Sequence, residues 1–330
     1  MKTRSLYLIG TAFTLMSILY ACKKDSNNNN SGQSATDLQT QSDDQTQVSN
    51  ENDAVVNDVN LMLGSQTAVS GSSSEPGVKY GVVTNDAKPI GNAGICDASA
   101  TLAVDSTAGK YTLTITYNGT NCAGNRTRTG TVVVSWAIGT HWRDMNAVVT
   151  VSIQNLKITR VKDSKSITLN GTHTYTNVSG GSLIDLALGK IKSVTHTVTS
   201  DDMSITFDNG AKRTWHVARQ RVYTVVTQNL VITTTGLHAD GNNTGISEWG
   251  TNRWGNNFVT QITQALVIDG NCSWRLTQGE VKVIRPEVTT TVTFGLDANG
   301  SPTSCPGDKG TYYFKLVWQA GKTYTFILPY

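Results

Sequence analysis

Five histidines, five cysteines and one crowded run of aromatic and polar residues are the places where this chain could do chemistry. The histidines, His141, His173, His196, His216 and His238, are scattered. None falls in a His-Glu-x-x-His helix or another metal-ligating spacing. His141 lies close to Asp144, and paired strands could bring His196 beside His216, but dispersed histidines of this kind read as surface or hydrogen-bonded residues. No metal and no cofactor is therefore expected. A Gly-x-Ser-x-Gly nucleophile elbow is absent. Glycoside hydrolysis needs two carboxylates flanking the bond, and Glu248, the one glutamate set among aromatics, has no evident partner. Asp240-Gly241-Asn242-Asn243 lacks the length and closing acid of a calcium loop and reads as a hairpin turn. No catalytic residue is assigned, and the chain is read as a protein without enzymatic activity.

The aromatic run is the better lead. Trp142 is flanked by His141 and Arg143, Trp215 precedes His216, and Glu248-Trp249-Gly250-Thr251-Asn252-Arg253-Trp254 sets two indoles among an acid, an amide and a guanidinium. A carbohydrate site needs this mixture, because an aromatic face stacks on the sugar ring while polar groups meet its hydroxyls. Glu248, Trp249, Asn252, Arg253 and Trp254 are thus candidate ligand-binding residues. The alternative is packing, since tryptophans bury large areas in strands and hairpins. On one unbroken strand the two indoles point to opposite faces, so only a turn at Gly250-Thr251-Asn252 would let them act together.

The cysteines are odd in number. Cys96 with Cys122 and Cys272 with Cys305 form two well-spaced pairs, and no close Cys-x-x-Cys pair suggests zinc. Two disulfides are expected, each worth about 3–4 kcal/mol on the chain-entropy model. Cys22 stands apart. It follows a basic start at Lys2 and Arg4 and an apolar run over Leu6 to Tyr20 that is too short to span a bilayer, which is the pattern of a signal peptide. Leu19-Tyr20-Ala21-Cys22 resembles the lipobox of bacterial lipoproteins, which implies a diacylglyceryl group on Cys22. The signal peptide is residues 1–21. The implied partner is a membrane, reached through that lipid, and export agrees with paired cysteines.

These features need elements to hold them. Residues 22–50 are polar and of low complexity, from the Asn27 to Asn30 run onward, and read as a disordered tether. Val48, Val55, Val59 and Leu63 are helically spaced, so residues 51–76 are either a short helix or more linker. From residue 77 to 330 the chain is all-β. Tyr111-Thr-Leu113-Thr-Ile115-Thr-Tyr117, Met203-Ser-Ile205-Thr-Phe207 and Val288 to Phe294 alternate apolar with threonine or serine. Asn118-Gly119, Asn170-Gly171, Asp208-Asn209-Gly210, Asp240-Gly241 and Asn299-Gly300 favour tight hairpins. A large antiparallel meander or a two-layer β-sandwich follows, as one domain or two related halves. The halves are suggested by an echo. Cys96, a strand ending near Tyr117, Cys122, Gly130 and Trp136 match Cys272, a strand ending at Phe294, Cys305, Gly310 and Trp318, giving candidate units 94–136 and 270–318. The final alternating strand, Tyr324-Thr-Phe326-Ile-Leu328, would suit an outer-membrane barrel, against which Pro329 and the lipobox both argue.

Cys122-Ala-Gly-Asn-Arg126-Thr-Arg128-Thr-Gly130-Thr-Val-Val-Val and Gly250-Thr-Asn252-Arg253-Trp254-Gly255-Asn-Asn-Phe258 resemble signatures of uncharacterised, all-β outer-membrane lipoproteins of the Bacteroidetes. The resemblance implies an all-β body behind a lipid anchor and transfers no functional residue. Lys23-Lys24-Asp25 is similar to that group's sorting region, with surface display and a periplasm-facing anchor as the two orientations it leaves open. The net charge of +3 over 330 residues gives no reason to expect nucleic acid. Lys212-Arg213 and Arg219-Gln220-Arg221 read as exposed charges on a strand. The expected function is that of a lipid-anchored cell-envelope protein at the outer membrane, a non-catalytic binding or structural module with a glycan or an envelope protein as partner. A surface glycan-binding lipoprotein for polysaccharide capture is the first alternative, and an envelope hydrolase the second.

Overall fold

A strand whose side chains alternate between threonine and aliphatic groups has one face for water and one for a core, and it needs a second layer. In the computed structural model, which describes residues 35–65, 88–90, 94–272, 275–305 and 310–330, that layer is a helix rather than a second sheet. The strands are β1 (Lys88–Ile90), β2 (Ala98–Asp105), β3 (Lys110–Thr120), β4 (Arg126–Ala137), β5 (Ala147–Arg160) and β6 (Ser166–Asn177). The long pair β7 (Ser193–Phe207) and β8 (Lys212–Val226) is followed by β9 (Asn229–Gly236), β10 (His238–Asp240) and β11 (Asn243–Thr251). Then come β12 (Asn257–Asp269), β13 (Arg275–Arg285), β14 (Val288–Leu296), β15 (Tyr313–Ala320) and β16 (Lys322–Pro329). All sixteen join one antiparallel sheet in chain order, except that β8 pairs with β11 while β9 and β10 branch beside them. The sheet is the expected meander. Among the described residues it is open, with β1 at one end of the order and β16 at the other.

Alternation decides which face is which. On β3, Leu113, Ile115 and Tyr117 are buried and Thr116 is exposed; on β5, Val149, Val151 and Ile153 are buried while Thr150 and Gln154 are exposed. The buried face packs against α1 (Ala35–Ser65). Asp44, Val48, Glu51, Val55, Val59 and Met62, with Gln47, Asn52, Val56 and Leu63 beside them, recur every three or four residues and are all buried. Val48, Val55, Val56, Val59, Met62 and Leu63 share one core cluster with inner residues of β2 to β8, among them Leu113, Val134, Val151, Leu169, Ile205 and Trp215. A second, smaller cluster, Leu276, Phe294 and Phe314, lies under β13 to β15.

The helix corrects the tether boundary. Residues 35–50, expected to be disordered, are helical, and α1 starts well before residue 51. The signal was hidden because its buried stripe contains Asp44, Gln47, Glu51 and Asn52, so hydrophobicity alone shows no period there. Valine, asparagine, aspartate and threonine are also indifferent helix formers, which leaves the sheet to template this helix.

Two expected turns are corrected as well. Asn118-Gly119 and Asn170-Gly171 lie inside β3 and β6 rather than between strands. Gly171, at φ +133°, has room for no side chain, since a Cβ would stand 2.8 Å from the Asp202 carbonyl of β7. Glycine marks close strand approach at an irregularity here, not reversal. Asp208-Asn209-Gly210, Asp240-Gly241 and Asn299-Gly300 do sit at turns.

The disulfides pair as expected, Cys96 with Cys122 and Cys272 with Cys305, with Cα separations of 5.1 and 5.2 Å. The first closes the open end of the β2–β3 hairpin and the second that of β13–β14. Each stapled hairpin is followed by a strand that carries a tryptophan, Trp136 on β4 and Trp318 on β15. Cys22 and the signal peptide lie outside the described residues. No helix among the described residues is long and apolar enough to cross a membrane.

Candidate functional site

Residues 248–254 do not form one surface. Strand β11 runs on through Thr251, so neighbouring residues face opposite ways, and the turn lies at Asn252 to Asn256. Glu248 points to the inner face, fully buried; Arg219 donates to it at 2.5 Å and Arg213 stands at 3.4 Å. Trp249 points to the outer face, where its indole stacks on His216 at 5.1 Å and on His238 at 4.0 Å. Asn252 is spent on the turn, its Oδ1 accepting the backbone N–H groups of Trp254 and Asn256 at 3.0 Å. Arg253 turns inward to Asp44 of α1 and lies 3.8 Å over the Phe207 ring. Only Trp254 remains substantially exposed, at the hairpin tip. The acid, guanidinium and indoles that would share a sugar are thus divided between a buried interior, a turn and the opposite face.

What the structure does bring together is a band of charge between α1 and the sheet. Arg128 on β4 donates through Nε and Nη2 to Asp97, both at 2.6 Å, and through Nη1 to Asp58 of α1 at 2.7 Å. Its guanidinium lies 4.4 Å over the Tyr117 ring, and the Tyr117 hydroxyl donates to Asp58 at 2.9 Å. Arg126 pairs with Glu51. Arg221 and Arg219 reach Asp53 at 2.5 and 3.4 Å. His173 meets the Asn52 side chain at 2.7 Å. Six arginines, Arg126, Arg128, Arg213, Arg219, Arg221 and Arg253, therefore face six acids. Four of these, Asp44, Glu51, Asp53 and Asp58, belong to α1, and Asp97 and Glu248 belong to the sheet side.

Burial and charge pull in opposite directions here. Desolvation pushes the Glu51 and Asp58 carboxyls up, with the arginines opposing it, while its acids hold Arg128 firmly protonated. Burial also pushes the Tyr117 hydroxyl well up. Such a band adds little net stability compared with apolar packing, but it penalises the loss of any single partner. It therefore fixes where α1 sits and in which register.

A second cluster lies where α1 meets β6, β7 and β8. The His196 ring is 4.9 Å from that of Trp142 and 5.1 Å from that of Tyr223, and Val56, Asn60, Tyr175 and Arg221 line the same narrow pocket. Burial, assisted by Arg221, lowers the His196 pKa to about 4. Burial and then Arg219 lower that of His173 to about 3. Both imidazoles are neutral at pH 7. Asn60 Oδ1, Tyr175 Oη and His196 Nε2 are buried and find no hydrogen-bond partner among the described residues.

Several sequence readings are corrected by these placements. Arg213 and Arg221 are buried rather than exposed on a strand face. They share parity with Trp215, Val217 and Tyr223, and that phase was the signal available in the sequence. His196 pairs across strands with Arg221, not with His216. His141 and Asp144 do meet, at 3.4 Å, in an exposed loop where Asp144 also accepts the His141 backbone N–H. Among the described residues no group of three or more His, Cys, Asp or Glu could hold a metal. No family model, no curated protein and no solved structure matches the chain.

Proposed function

We propose that this chain is a lipid-anchored protein of the bacterial cell envelope, held at the outer membrane through Cys22, and that it acts as a non-catalytic binding or structural module. The observation that carries the reading is the pairing of cysteines. Two disulfides fit an oxidising compartment, and with Cys96, Cys122, Cys272 and Cys305 engaged, Cys22 in its lipobox-like setting is the one cysteine left over. The non-catalytic part is supported by where the reactive groups go. The arginines and carboxylates that could bind or transform a substrate are spent on seating α1. In sequence Cys22 comes shortly before α1, an element of the main core cluster.

The anchor has a direct test. The wild-type chain should incorporate labelled palmitate and fractionate with membranes, and Cys22→Ser should reduce the label to background and release the protein. Label persisting in Cys22→Ser, or absent from the wild type, would refute the lipoprotein reading. Glycan-array binding by the parent chain, lost in Trp254→Ala with its melting temperature unchanged, would revive a carbohydrate role at the exposed hairpin tip.

A further inference from the structure

The two ends of the sheet are built differently. The β1 end is a strand of three residues that contains Pro89, the short and proline-blunted kind of edge that resists further pairing. The β16 end is eight residues long, with Lys322 its one charge and Pro329 only at its last position. Its partner on one side is β15, and no strand lies on the other among the described residues. Tyr324, Phe326 and Ile327 are all exposed, Phe326 at 46 %. Tyr324 and Phe326 stand opposite Trp318 and Leu316, so they continue the inner, apolar face of the sheet beyond the region that α1 covers. Unpaired backbone and uncovered apolar side chains thus coincide on one strand.

We propose that β16 is a self-pairing edge, and that two copies of this chain join antiparallel through it about a two-fold axis at Phe326. A row of free N–H and C=O groups is satisfied in register by another strand, and antiparallel pairing is what a two-fold axis perpendicular to the sheet generates. Such an axis keeps inner face with inner face. It sets Phe326 against its own copy and Tyr324 against Leu328, which extends the apolar strip across the junction. A slip by one residue would place these rings against the polar threonine side instead. Charge agrees with the arrangement. Lys322 falls opposite Tyr330 of the other copy, so the strand's one cation never opposes itself.

The test uses the full exported chain carrying Cys22→Ser, so that no acyl chain drives association. Sedimentation over a concentration series should show a reversible monomer–dimer equilibrium. Phe326→Lys, which brings like charges together on the axis, should weaken the dimer at least about tenfold, with an unchanged melting temperature at concentrations where both proteins are monomeric. Under mild oxidation Phe326→Cys should cross-link to itself and Tyr324→Cys should not, a readout that stands even if the lysine variant folds poorly. A chain that stays monomeric throughout, a dimer that Phe326→Lys leaves intact, or cross-linking through Tyr324→Cys instead of Phe326→Cys overturns the proposal. None of these results depends on whether Cys22 carries lipid.

Discussion

Arg128→Ala should destabilise the protein by about 3–5 kcal/mol, measured by chemical denaturation at neutral pH. The guanidinium meets both oxygens of Asp97, whose side chain is fully buried, while also holding Asp58 of α1. Removing it leaves two desolvated carboxylates facing each other and uncovers the Tyr117 ring. Much of the loss is thus the cost of stranded charge rather than the worth of the pair. Arg128→Met combined with Asp58→Asn and Asp97→Asn should recover most of it, because that set carries no buried ion. The Arg160–Asp163 pair at the β5–β6 turn offers a contrast. It is solvent-accessible, and Arg160→Ala should cost about 1 kcal/mol or less. A loss below about 1 kcal/mol for Arg128→Ala would mean that the band is wet and that α1 is not seated on β4.

The same band explains what could and could not be read in the chain. Strands were legible because threonine–aliphatic alternation has a physical cause, one face in water and one in a core, and Leu113, Ile115 and Tyr117 sit where the alternation puts them. The disulfides were legible because four cysteines in two spaced pairs, with no close Cys-x-x-Cys spacing, have few alternatives. The element that the core closes on was not. Helix α1 buries Glu51 and Asn52 beside Val55 and Val56, and a stripe that mixes acids with valines has no hydrophobic period until the arginines opposite are known. Those arginines lie on β4, β8 and the β11–β12 turn, far away in sequence, so the complementarity exists only in three dimensions. How the 248–254 segment is arranged was hidden for the related reason that composition says nothing of facing. An acid, an amide and two indoles adjacent in sequence were divided by strand parity and one turn. Asn118-Gly119 and Asn170-Gly171 show a third limit, because glycine serves close strand approach as readily as reversal.

Between pH 7.5 and pH 5, His196→Phe should lose about 2 kcal/mol less stability than the wild type. The folded state holds His173 and His196 neutral, with pKa values lowered by burial to about 3 and about 4 against an ordinary 6.5. The unfolded chain therefore takes up these protons first as the pH falls. Stability from this source is complete above about pH 6.5 and is lost progressively below it, until the folded-state values are reached. Between pH 7.5 and 5 each imidazole should account for about 2 kcal/mol. Glu51 and Asp58 act with the opposite sign, since burial pushes their folded pKa values up and acid then favours the folded state. Both carboxylates are present in the wild type and in His196→Phe alike, so their contribution cancels when the proteins are compared. His196 is the cleaner probe of the two. Its Nε2 makes no hydrogen bond among the described residues, and its ring is held by Trp142 and Tyr223, so a phenyl ring keeps the packing and discards the titration. The His173 ring, by contrast, holds Asn52 of α1 and could not be exchanged so simply. Melting curves at pH 7.5 and pH 5 should show His196→Phe within about 1 kcal/mol of the wild type at the higher pH. At the lower pH the variant should be the more stable of the two by about 2 kcal/mol. Equal acid sensitivity in both proteins would mean that His196 titrates normally, and hence that the seam between α1 and strands β6 to β8 admits water.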